Sequence, residues 1–161
     1  MRKIFIIIIL SLAGLIVEFA LFNSFFRWLR PNFSVILIVF FNLYWGSKYG
    51  FITAVISGIL RDSCGLTNFG LNTLSFVIAS LAVSLSKKYF YHIGSEASRV
   101  PMVWAVSIVN VFIQYMINLM FNSYDFGVVF VRIMLPEVLI TGLAAFYVIR
   151  EIRKIVVRFS Y

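Results

Sequence analysis

Charge is almost confined to the gaps between six apolar runs, and that arrangement leaves few folds open. The runs cover residues 4–22, 33–45, 51–60, 70–86, 100–121 and about 126–149. Of 161 residues, 62% are hydrophobic and 12% charged, against roughly half and a quarter in soluble globular domains. A core of this size cannot bury so much apolar surface, so lipid is the expected solvent. The expectation is a single polytopic membrane domain over residues 1–161, with no soluble domain attached.

A helix needs about 20 residues to cross the hydrocarbon, and fewer where the bilayer thins. The second and third runs are shorter. They form either one long helix or two spans joined at "GSKYG", residues 46–50. Charge decides between these. With six spans and the N-terminus inside, Arg2, Lys3, Lys48, Lys87, Lys88, Arg99, Arg150, Arg153, Lys154 and Arg158 all face the cytoplasm, leaving Arg27, Arg30 and Arg61 outside. Five spans would translocate the basic tail "REIRKIVVRFSY", against the positive-inside rule. The glycines flanking Lys48 also suit a tight turn. The sequence therefore predicts an all-α integral membrane protein. It is a compact bundle of six transmembrane helices, at about 4–22, 32–45, 50–61, 70–86, 100–121 and 126–149, with both termini cytoplasmic. The first run follows a basic start as a signal peptide does, but it stays apolar for about 19 residues and reads as a retained helix.

Composition also excludes several function classes. A net charge of +8 would suggest nucleic acid in a soluble protein. Here the cations mark helix ends on one side, so no nucleic-acid partner is expected and the surrounding lipid is. Cys64 is the only cysteine and His92 the only histidine, so neither a disulfide nor a zinc cluster is expected, and no cofactor. No paired acid–base constellation or nucleophile motif points to an intramembrane enzyme. The hydrophilic connection at 87–99, "KKYFYHIGSEASR", should be cytoplasmic, either as a solvated loop or as a partner site.

Three helix faces carry information. Gly50, Ala54, Gly58 and Asp62 recur every four residues and share one face, which allows two backbones to approach closely. Ser75, Ala79, Ala82 and Ser86 form a second small-residue row. The third and fourth helices should pack through these rows, although the first row could instead meet another membrane protein. Ser107, Asn110, Gln114 and Asn118 lie on one face of the fifth span, where lipid offers no hydrogen-bond partner. That stripe faces protein, through interhelical hydrogen bonds, or lines a polar pocket.

Charges within the spans need partners. Glu18 and Arg132 lie at similar depth on the first and sixth helices, and a contact between them would neutralise both. Glu137 follows Pro136, which should kink its helix. It is either protonated or paired with Arg132. Asp62 falls at the outer rim beside an Arg61 that can stay wet. Its carboxylate can accept from the N–H groups of 65–70 and cap the next helix. That outer loop is either a structural turn or a rigid surface offered to a partner.

"RPNF" before the second span and "GFITAVISGILRDSCGLTNFGLNTLSF" after it resemble the rod shape-determining protein MreD family. The matching positions are Pro31-Asn32, Gly50-Phe51, the run from Gly58 to Asp62, Gly65, and Phe69-Gly70-Leu71. Asn32 stands where Asp is commoner, and Ile59 and Phe69 where Leu is. The resemblance implies a non-enzymatic component of the inner-membrane cell-elongation machinery, serving rod shape and lateral peptidoglycan synthesis. Its implied partners are an MreC-like protein, the RodA glycosyltransferase with its transpeptidase partner, and the MreB filament. The alternative is a substrate-binding S component of an energy-coupling-factor vitamin transporter, also a small six-helix protein, for which the stripe on the fifth span would have to line a closed pocket.

Overall fold

A computed structural model describes residues 2–24, 31–64, 70–90, 99–121 and 135–160. These residues form six helices: α1 (Arg2–Ser24), α2 (Phe33–Trp45), α3 (Ser47–Cys64), α4 (Leu71–Phe90), α5 (Arg99–Phe121) and α6 (Leu135–Ser160). Among the described residues there is no strand. Gly65, Phe69, His92 and Arg132, with the first residues of the sixth apolar run, lie outside the described residues. So does the side chain of Asn118.

The centre is α2. Its thirteen residues are apolar on every face except at Ser34 and Asn42, and every residue from Ser34 to Leu43 is buried. A helix apolar all round must be enclosed, and α2 touches each of the other five. At about 1.5 Å rise per residue it is only some 20 Å long. Length and composition alone would let two of the helices cross a membrane, over Arg2–Ala20 and Arg99–Ile117, while Phe33–Trp45 and Leu71–Lys87 are shorter apolar helices.

The ambiguity at "GSKYG" resolves as two helices. Gly46 alone separates α2 from α3, at φ 98°, a left-handed conformation that favours glycine. Its carbonyl then accepts from Tyr49 N at 3.0 Å and Gly50 N at 3.2 Å, starting α3. The turn is thus tighter than the five residues suggested. Gly50 lies inside α3, and its lack of a side chain serves packing instead: a Cβ there would fall 2.6 Å from Asn42 Cβ.

The small-residue row on α3 faces inward as expected. Gly50, Ala54, Gly58 and Asp62 are all buried. A Cβ on Gly58 would collide with the backbone of Thr73, so α3 and α4 are in backbone-to-backbone contact there. On α4 the buried stripe drifts from the expected row. It comprises Ser75, Phe76, Ala79, Ser80 and Val83, leaving Ala82 and Ser86 half-buried. Two further ties hold the neighbours. Ser57 Oγ donates to Ser11 Oγ at 3.1 Å, joining α3 to α1. Asn42 Nδ2 donates to Ser80 O at 3.1 Å and Ser84 Oγ at 3.0 Å, joining α2 to α4.

The last helix runs past its apolar segment. Ile149, Ile152 and Val156 continue its buried face through the basic tail, while Arg150, Arg153 and Lys154 are exposed. Large apolar side chains are exposed on other faces, among them Phe5, Ile16, Leu85, Leu143 and Phe146. The close approach at Gly58 is open to test. Gly58→Leu is expected to cost about 1–3 kcal/mol by forcing α3 from α4, whereas Phe51→Leu, on an exposed face, should leave the thermal midpoint of the purified protein nearly unchanged.

Candidate functional site

The first turn of a helix leaves N–H groups without intrahelical acceptors. The N-cap residue that could serve α4 is Gly70, which has no side chain and sits at φ 95°. Its carbonyl accepts from Leu74 N at 2.9 Å and opens the helix. The missing acceptor arrives from the far end of α3. Asp62 Oδ1 accepts from Asn72 N at 3.0 Å and Asn72 Nδ2 at 2.9 Å, and Oδ2 accepts from Thr73 N at 3.1 Å and Thr73 Oγ1 at 2.6 Å. A negative group at a helix N-terminus also meets the positive end of its dipole.

Asp62 therefore caps α4, as the sequence suggests. The donors among the described residues are Asn72 and Thr73, inside the helix, while residues 65–69 of the expected 65–70 lie outside the described residues. Its side chain is 4% exposed, and the four donors occupy about all the lone-pair sites a carboxylate has. Among the described residues, no three His, Cys, Asp or Glu residues cluster as metal ligands.

The clasp extends to α5. Asn72 Oδ1 accepts from Gln114 Nε2 at 3.1 Å, Gln114 Nε2 also reaches Ser75 Oγ at 3.4 Å, and Ser75 Oγ donates to Asn72 O at 3.0 Å. So Asp62, Asn72, Thr73, Ser75 and Gln114 bind three helices in one network. The polar stripe on α5 is divided. Gln114 makes the interhelical hydrogen bonds expected of it, while Ser107 Oγ and both polar atoms of the Asn110 side chain are buried without a partner among the described residues.

Arg61 does not stay wet. Its guanidinium turns inward to Glu18, with Nη2 3.0 Å from Oε1, and both side chains are largely covered, at 19% and 11% exposed. It also lies 5.8 Å above the Phe76 ring. Burial favours pairing, because an uncompensated charge in an apolar site is expensive. The residue expected to neutralise Glu18, Arg132, lies outside the described residues.

A second polar junction forms where α2 and α6 begin. Asn32, nearly fully buried, caps α2 by accepting from Val35 N at 3.3 Å. Its Nδ2 donates to Glu137 Oε1 at 3.0 Å, and its backbone N donates to Thr141 Oγ1 at 2.9 Å. Glu137 thus has a partner that sequence reasoning did not supply. Pro31 is buried beside the junction, and Pro136 sits in the first described turn of α6, a position that tolerates proline. The Asn32 amide gives the Glu137 carboxyl group a donor that an ionised carboxylate at this position would not.

Sequence reasoning missed Asn42, Asn72, Thr73 and Thr141. Asn42 did carry a signal, as a lone amide inside an apolar run. Asn72-Thr73 carried one too, since polar residues directly after Gly70-Leu71 fall where a helix starts.

Two sets of substitutions test this geometry. Asp62→Ala orphans both N–H groups and should cost about 2–4 kcal/mol. Asp62→Asn should fall between it and the parent in thermal midpoint, because its amide nitrogen must face a backbone donor. Asn32→Asp should lower the midpoint by setting two carboxyl groups together, and adding Glu137→Gln should restore most of the loss.

No curated protein and no solved structure matches the chain. The sequence model of one family, the rod shape-determining protein MreD, matches residues 1–156. This protein belongs to the MreD family of rod shape-determining membrane proteins.

Proposed function

We propose that this protein is a non-enzymatic adaptor of the bacterial cell-elongation machinery, which supports lateral peptidoglycan synthesis by binding an MreC-like protein. The family match over residues 1–156 carries this reading. Through that partner it would couple to RodA with its transpeptidase and to the MreB filament. The described residues are all helix or short connection, so contacts run through helix faces and rims. The saturated carboxylate at Asp62 favours a structural over a chemical role for the rim.

The proposed setting is the cytoplasmic membrane, crossed six times with both termini inside. Cations gather at one end of the bundle, which supports this orientation. Lys3 Nζ lies 5.5 Å from the Trp45 ring and 5.2 Å from the Tyr49 ring. Arg99 Nη1 donates to Tyr44 OH at 2.9 Å. Lys87 Nζ donates to Asn42 O at 3.3 Å, at the C-terminus of α2. The ends of α3 and α4 that meet at Asp62 then face outward. Exposed apolar side chains such as Leu143 and Phe146 would meet lipid, while α2, too short to span alone, is shielded by its neighbours.

In a rod-shaped host, loss of this protein should round the cells, and an affinity-tagged copy should co-purify an MreC-like protein. Rods that persist without it would sink the proposal. A vitamin retained on the purified protein at near-equal stoichiometry would favour the transporter S component instead. A tag after Tyr161 should be inaccessible from outside the cell, and labelling from outside would overturn the topology.

A further inference from the structure

Asn110 is 0% exposed and Ser107 2% exposed, yet Ser107 Oγ, Asn110 Oδ1 and Asn110 Nδ2 have no hydrogen-bond partner among the described residues. Buried polar side chains are almost always bonded. This pair departs from that rule on the same face of α5 where Gln114 obeys it.

Along α4, the register of the helices brings no polar side chain level with them. Gln114 stands level with Ser75 on α4. The two helices are antiparallel, since Arg99 at the start of α5 and Lys87 late in α4 both reach the C-terminal end of α2. One turn down α5 from Gln114 is Asn110, and one turn along α4 from Ser75 is Ala79. One turn further, Ser107 comes level with Ala82 and Val83. None of these three α4 residues has a polar side-chain atom. On its other flank α5 meets α6 through apolar packing, with Val111 and Tyr115 against Val138, and Trp104 lies over Gly142.

We propose that Ser107 and Asn110 form an internal hydration site, holding water between α5 and the alanine-bearing stretch of α4. Buried waters typically make about three hydrogen bonds to otherwise unsatisfied groups. The pair offers three such atoms, one turn apart on one face: a hydroxyl, a carbonyl oxygen and an amide nitrogen. Water can donate to Asn110 Oδ1 and accept from Asn110 Nδ2 or Ser107 Oγ, so a single small molecule matches both senses. The upper part of the stripe is then joined to α4 directly through Gln114, and the lower part through solvent. This assignment holds whichever partner the protein binds.

The test compares the parent with two variants of the purified full-length protein. One is the double variant Ser107→Ala/Asn110→Leu, which replaces the polar face by apolar groups of similar size. The other is Gln114→Leu, which breaks formed bonds. A parent structure at a resolution that shows ordered waters should place a water within hydrogen-bond distance of Asn110 and Ser107. The double variant should lose it and melt at or above the parent, because removing all the polar atoms leaves none unpaired. Gln114→Leu should melt lower by roughly 2–4 °C. Three results would overturn the assignment: no water at Asn110 in the parent, an organic molecule there that mass spectrometry of the extracted protein detects, or a double variant that falls as far as Gln114→Leu.

Discussion

Every helix end buried in this bundle must find its hydrogen-bond partners inside the protein, and the fold is organised around that obligation. Water serves exposed helix ends in soluble proteins, but in a membrane family the apolar surroundings offer no such service. Three ends are answered by side chains from elsewhere or from the adjoining residue. Asp62 serves α4 from the end of α3. Asn32 serves α2 and reaches α6 at the same time. Lys87 takes the last carbonyls of α2 from the end of α4. Each cap is therefore also a tie between helices, so local and tertiary structure are satisfied by the same bonds.

The two ends of the bundle are built from different chemistry. At one end cations sit against aromatic rings and carbonyls: Lys3 with Trp45 and Tyr49, Arg99 with Tyr44, Lys87 with α2. At the other, carboxyl groups are met by amides, a hydroxyl and one guanidinium: Asp62 by Asn72 and Thr73, Glu137 by Asn32, Glu18 by Arg61. Cation–aromatic contacts add to the attraction that holds these side chains in place. At the second end each of these three acids has a partner among the described residues.

Helix positions were legible because hydropathy reports them directly, and the row of Gly50, Ala54, Gly58 and Asp62 was legible because four-residue spacing fixes a face. The role of Asp62 as a cap followed from its place between two runs. What spacing could not show was which neighbour a face meets. Arg61 closes a run, where it could stay wet, yet the helix turn directs it to Glu18, forty-three positions earlier. The sequence points to loop N–H groups as donors to Asp62, and the structure adds Asn72 and Thr73 at the start of α4. Gly50 suits both a turn and a close-packed helix face in the sequence, and the position of Asn42, where a Cβ on Gly50 would fall, decides for packing.

The enclosure of α2 also sets an order on how the chain can be assembled. Of the five helices that surround it, only α1 precedes it in the sequence. The bonds from Asn32 to Glu137 and Thr141 join positions 105 and 109 residues apart. A chain made from its N-terminus thus releases its central helix long before the walls around it exist. Until the sixth helix emerges, the amide of Asn32 has no lasting partner there, and the bundle stays open along that seam. Completion of the last helix is the event that closes the fold.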